Sequence, residues 1–204
     1  MALPKDTPTI KSGTVPPQSI PYSQKRPREY LTSHEVDELM AIAQKRGRYG
    51  HRDATMILMA YRHGLRVSEL CALRWDQVNL NNGLLHVRRL KHGIPSVHPL
   101  RGTELRALRK LKRESKSLAY LFVTERGGPI TAAGFRKLFS RIAQDSSMSF
   151  SIHPHMLRHA CGYKLINDGQ DVRAIQHYLR HKNIQHTVRY TQLSANCFLD
   201  FWND

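Results

Sequence analysis

Helical periodicity runs along this chain from Thr32 onward and is broken once, between Asn81 and His98, where apolar and polar residues alternate instead. Thr32 and Glu35 have capping-box spacing, and Val36, Leu39, Met40 and Ala43 follow on one helical face. A second helix is expected over roughly Arg52 to His63, stopped by Gly64, and a third from Val67 to Leu73. Asn81, Asn82 and Gly83 then make a turn, and Leu84 to Val87 alternates as a strand does. His92 and Gly93 turn the chain again before a strand near Ser96 to His98. Helices return around Leu105, Leu108 and Leu111, and again around Phe135, Leu138, Phe139 and Ile142. Another covers His155 to about Ile166 between Pro154 and Gly169, and a short one runs from a cap at Asp171 to Leu179. Phe198, Leu199, Phe201 and Trp202 mark a last amphipathic piece. The expected class is mainly α with a small antiparallel β-sheet.

Residues 1–30 are of another kind. They hold six of the ten prolines and few aliphatic side chains, too little apolar surface to offset the entropy of ordering. This stretch reads as a flexible proline-rich arm, and 31–204 as one domain. Charge narrows the partners: 32 Lys and Arg against 16 Asp and Glu leave a formal +16, an excess that favours a polyanion. A merely basic surface is the competing reading. Cys71, Cys161 and Cys197 are far apart and odd in number, which suggests neither a disulfide framework nor a cysteine zinc site. With no signal-like or spanning apolar run, the expectation is a soluble cytoplasmic protein, associated with the nucleoid and not with a membrane.

Individual polar residues are ambiguous. His155 and Arg158 stand three apart on a predicted helix, so one face presents an imidazole and a guanidinium to the same phosphate. His155 and His159 also have metal-ligand spacing, but Met156 stands where a hydrolytic zinc helix needs Glu; no metal or other cofactor is expected. Arg66 opens a helix with Glu69 one turn on, placed to orient it or to form an ordinary surface ion pair. Lys91 lies in the hairpin link beside Arg88, Arg89 and His92, a turn that either enters a DNA groove or keeps the sheet soluble. Tyr190 follows His181 by nine residues in a polar stretch with His186, Thr187 and Arg189.

Taken in order, these segments are specific. GLRVSEL, RRLKHGIPSVHPL, HPHMLRH and YLRHKNIQHTVRYT resemble the signature boxes of the tyrosine recombinase (phage integrase) family, over about residues 30 to 193. The nearest likeness is to the short fimbrial phase-switch invertases. The resemblance implies Arg66, Lys91, His155, Arg158 and His181 as catalytic residues, Tyr190 as nucleophile and Glu69 as support for Arg66. It implies Arg88, Arg89, His92, Arg180 and Arg189 as DNA contacts. The family usually has Gly where this chain has Arg180, so a left-handed backbone there would cost roughly 1 kcal/mol.

The activity implied is site-specific recombination: attack by Tyr190 on a scissile phosphate, a 3′-phosphotyrosyl ester, and no need for ATP or metal. The partners implied are double-stranded DNA with inverted-repeat sites and further copies of the chain in a tetrameric synapse, with accessory proteins that bend DNA. Two alternatives stay open, a type IB topoisomerase-like nicking-closing enzyme and a catalytically silent DNA-binding protein of the same fold.

Overall fold

The computed structural model describes residues 28–87, 96–115 and 119–192. Three helices come first: α1 (Ser33–Lys45), α2 (Gly50–Arg62) and α3 (Val67–Cys71). A 3-10 turn, Trp75–Gln77, leads into strands β1 (Val78–Asn79), β2 (Leu84–Val87) and β3 (Ser96–Pro99). Then follow α4 (Gly102–Glu114), α5 (Ala132–Gln144), α6 (His155–Asn167), α7 (Val172–Leu179) and α8 (Gln185–Gln192). The mainly helical class with one small antiparallel sheet is as the sequence led one to expect. Residues 1–27 of the arm expected over 1–30, and the apolar set Phe198 to Trp202, lie outside the described residues.

Local chemistry fixes the helix ends. At α1 the Thr32 hydroxyl accepts the Glu35 amide and Glu35 accepts the Thr32 amide at 2.7 Å, the reciprocal pair its spacing predicted. Asp171 caps α7 by accepting the Ala174 amide at 2.7 Å. α2 begins two residues earlier than its apolar pattern, at Gly50, where the chain passes close to α1. A Cβ on Gly50 would stand 2.3 Å from the Gln44 carbonyl oxygen.

α2 is the central element. Ala54 through Ala60 are all buried, so the helix is covered on every side rather than along one stripe. Against it pack α1, α4 and α6, which bring Leu39 and Ala43, Leu108 and Leu111, and Met156 and Leu157 to the core; Phe135 and Phe139 of α5 join that core from beside α1 and α3. In the sheet, ordered β1-β2-β3, Leu85 pairs with His98 and Val87 with Ser96. Leu85, Val87 and His98 face inward, while Val97 is exposed. A second, smaller apolar cluster joins Cys161 and Ile166 of α6, Ile175 and Leu179 of α7, and Tyr190 of α8. Among the described residues no helix is long and apolar enough to cross a membrane.

Candidate active site

The site forms where the end of α2, the face of α6 and the α7–α8 link converge. After α2 the chain turns sharply at Gly64, which has φ +55; a Cβ there would also stand 2.2 Å from the Leu179 side chain. That turn delivers Arg66 to the start of α3. Its amide donates to Glu69 Oε2 at 2.9 Å and its Nη1 to Oε1 at 3.0 Å. Glu69 is buried while the Arg66 side chain stays about half exposed, so a fixed carboxylate aims a guanidinium that solvent or a ligand can still reach.

α6 carries His155, Arg158, His159 and Gly162 on one face, as helical spacing requires. Arg158 is only 1% exposed and is held by backbone: Nη1 donates to the Gly64 carbonyl and Nη2 to the Leu179 carbonyl. The His155 and His159 rings meet edge to face at 4.6 Å. At the end of α7, Arg180 adopts φ 57 and ψ 50, the left-handed conformation expected of a position usually held by Gly. His181 follows, its Nδ1 2.9 Å from Thr187 Oγ1.

Tyr190 lies on α8, a helix that the polar run after His181 did not reveal. The residue is 2% exposed, with its ring against Gly162 and its hydroxyl 3.2 Å from His159 Nδ1. Arg66, His155, Arg158, His159, His181 and Tyr190 together line a cavity of about 210 Å³. Glu29 and Arg189 also reach it and pair at 2.8 Å.

Burial sets the protonation states. It pushes the imidazoles down, helped by Arg158: His155 to about 4, His181 to about 3, and His159 to about 3 with His155 as its next largest influence. All three are neutral at pH 7. Burial pushes the Tyr190 phenol the other way, to about 12, against the pull of Arg158. The phenol's pKa thus lies far above that of its imidazole neighbour, and proton transfer between them is uphill in the free protein.

Of the residues singled out in the sequence, Arg66, His155, Arg158, His181 and Tyr190 come together here, with Glu69 on Arg66. Arg189 is at the cavity and Arg180 shapes the turn before His181. Lys91, Arg88, Arg89 and His92 lie outside the described residues. Sequence reasoning missed His159, which it weighed only as a metal ligand. Its contact is with a residue 31 positions away, so local spacing held no signal for it. Among the described residues no group of three or more His, Cys, Asp or Glu is placed to hold a metal ion.

Known proteins share this arrangement of segments. The sequence model of the phage integrase family matches residues 29–196. The type 1 fimbriae regulatory protein FimE of Escherichia coli K12 is 41% identical over 181 residues, covering 86% of this chain and 91% of FimE. The tyrosine recombinase XerC of Bacillus subtilis is 34% identical over 185 residues, 86% of this chain and 60% of XerC. In three dimensions the chain is similar to the XerA recombinase crystal structure, with a TM-score of 0.72 and 24% identity over 84% of this chain and 63% of XerA.

Proposed function

The chain belongs to the phage integrase family, tyrosine recombinases that cleave and rejoin DNA, and from that premise we propose that it is a site-specific DNA recombinase with Tyr190 as its nucleophile. The observation that carries the assignment is the Tyr190 hydroxyl, held 3.2 Å from a neutral imidazole at the wall of a cavity lined by Arg66, Arg158 and Arg189. A phosphodiester in that cavity would bring its non-bridging oxygens to Arg66 and Arg158, with His155 and His181 as further donors. Tyr190 Oη attacks phosphorus, the bond to the 5′-oxygen breaks, and a 3′-phosphotyrosyl ester remains. The phenolic proton goes to His159 Nδ1, the nearest acceptor, in preference to His155. Lys91 protonates the departing 5′-oxygen. The ester conserves the phosphodiester's energy, so rejoining by a 5′-hydroxyl reverses these steps with no nucleotide cofactor.

The resting pKa values support a site that waits for its substrate. A buried phosphate brings negative charge, which raises the imidazole pKa values and draws the arginines together around it. Proton transfer from Tyr190 then becomes accessible only with DNA in place.

We assign double-stranded DNA bearing inverted-repeat sites as the partner, with several copies of the chain in one synapse, a tetramer for two duplexes, and DNA-bending accessory proteins. The reaction on paired sites is DNA inversion or integration and excision. The test is a nicked suicide substrate from which the cleaved fragment diffuses away. Wild type should form a denaturant-stable adduct, mapped to Tyr190 through a 3′-phosphate, and Tyr190→Phe should form none while binding DNA within a few fold. An adduct that persists in Tyr190→Phe removes the nucleophile assignment. Religation confined to the same strand would favour the topoisomerase-like reading.

A further inference from the structure

Behind the cavity lies a second, wholly different polar cluster. His63, His98 and Glu104 are each 1% exposed and come from the end of α2, β3 and the first turn of α4. His63 Nε2 is 2.8 Å from Glu104 Oε1, and its Nδ1 is 3.3 Å from His98 Nδ1 and 3.2 Å from the Tyr178 hydroxyl. His98 stacks on the Tyr178 ring at 4.0 Å and reaches Ser96 Oγ at 3.1 Å. Tyr178 donates to the Arg62 carbonyl at 2.9 Å, and Glu104 also accepts the Arg101 amide at 2.9 Å. The Tyr178 hydroxyl gives its one proton to the Arg62 carbonyl, so in its contact with His63 it accepts from Nδ1. Burial raises the Glu104 pKa, but the hydrogen bond and charge of His63 outweigh it and hold the carboxyl below its usual range.

The position of this cluster in the chain is what gives it meaning. His63 immediately precedes Gly64, and Tyr178 immediately precedes Leu179. Gly64 and Leu179 supply the two carbonyls that hold Arg158. The contact between His63 and Tyr178 therefore ties together the two backbone positions that cradle that guanidinium. His98 extends the tie to strand β3, where it pairs with Leu85 of β2. Buried polar groups add little net stability compared with apolar replacements, so stability alone is a weak account of such a cluster.

We propose that the buried His63, His98 and Glu104, with the half-buried Tyr178, form a brace that fixes the Gly64 and Leu179 carbonyls, and that they are positioning residues for Arg158 in DNA cleavage. The inference rests on the reading above that Arg158 binds the scissile phosphate. Displacing a catalytic group by about 1 Å can cost on the order of 100-fold in rate, so a modest loosening of the brace is readable.

The experiment measures single-turnover cleavage for Tyr178→Phe, which keeps the stacked ring and deletes the hydroxyl, and for Ser96→Ala, which removes the outermost link. Each is run on ordinary DNA and on DNA with a methylphosphonate at the scissile position, a neutral centre that no longer needs an arginine's charge. Tyr178→Phe should cleave ordinary DNA at least about tenfold more slowly than wild type, and Ser96→Ala less so, with DNA binding unchanged. On methylphosphonate DNA both deficits should shrink to about twofold, as the deficit of Arg158→Ala should also shrink; loss of fold alone would slow both substrates equally. If Tyr178→Phe does not fold, Ser96→Ala decides. Arg158→Ala slow with both brace variants at wild-type rates overturns the brace and leaves the site standing. Arg158→Ala at full rate overturns the site reading itself.

Discussion

A Cβ atom on Gly162 would stand 2.2 Å from Cε2 of Tyr190, so α6 is bare where the ring of the proposed nucleophile lies on it. A methyl group there cannot be absorbed by a rigid aromatic ring without moving it. Gly162→Ala should therefore cut adduct formation by on the order of 100-fold, with the hydroxyl still present and DNA affinity intact. Overpacking should also cost about 1–3 kcal/mol of stability, seen in denaturant titration. Near-normal cleavage by this variant would mean that Tyr190 leaves α6 before it reacts.

Much of this was legible before the structure. Thr32 with Glu35, Asp171 with Ala174, and Gly64 each mark an element end through chemistry that acts within a few residues. The Arg66–Glu69 pair is of the same kind, one helical turn in length. What escaped was non-local. His159 meets Tyr190 only because α8 packs on α6, and the polar segment 185–192 becomes helical because Tyr190 and Thr187 are buried there. His63 and His98 look unremarkable in sequence, since only the register of β3 and the end of α2 bring them together.

Acid should destabilise the free protein in a defined window. His155, His159 and His181 have folded pKa values of about 4, 3 and 3, below the ordinary imidazole value of about 6.5. As pH falls below about 6.5 the unfolded chain takes up these protons first, so stability drops progressively towards pH 4. Melting temperature should decline steadily from pH 7 to pH 5, above the range where carboxylates titrate. His181→Asn should flatten the slope. A melting temperature independent of pH in this interval would contradict neutral, buried imidazoles.

Arg180 holds a left-handed backbone that glycine adopts without steric cost. Arg180→Gly relieves roughly 1 kcal/mol of strain but adds freedom to the unfolded chain, so its melting temperature should be equal to or slightly above that of wild type. Cleavage should be unchanged or faster, because the strain sits one residue before His181. A marked loss of DNA affinity instead would show that the Arg180 side chain contacts DNA, as the family resemblance implied.

DNA binding should be dominated by phosphate contacts, given a formal net charge of +16. The logarithm of affinity should fall linearly with the logarithm of salt concentration, with a slope of about −0.9 per phosphate neutralised. Arg66→Ala and Arg189→Ala should each reduce the slope by about one phosphate's worth, whereas Tyr190→Phe should leave it unaltered. A flat salt dependence would remove nucleic acid as the partner.

The proton acceptor can be separated from the other imidazoles. His159 Nδ1 faces the Tyr190 hydroxyl at 3.2 Å, whereas His155 meets His159 in a T-shaped ring contact at 4.6 Å. Loss of a general base typically costs on the order of 100- to 10,000-fold, so His159→Ala should slow cleavage on that scale. It also opens a space beside the phenol, into which free imidazole can diffuse. Added imidazole should restore part of the rate to His159→Ala, with a pH dependence that follows imidazole's own titration: activity lost as pH falls through about 7. His155→Ala should be slowed as well, through a lost donor to the phosphate, but should show no such dependence on added imidazole in its acid limb. Rescue of His155→Ala and not of His159→Ala would transfer the proton to His155 and leave His159 as a residue that only orients the tyrosine.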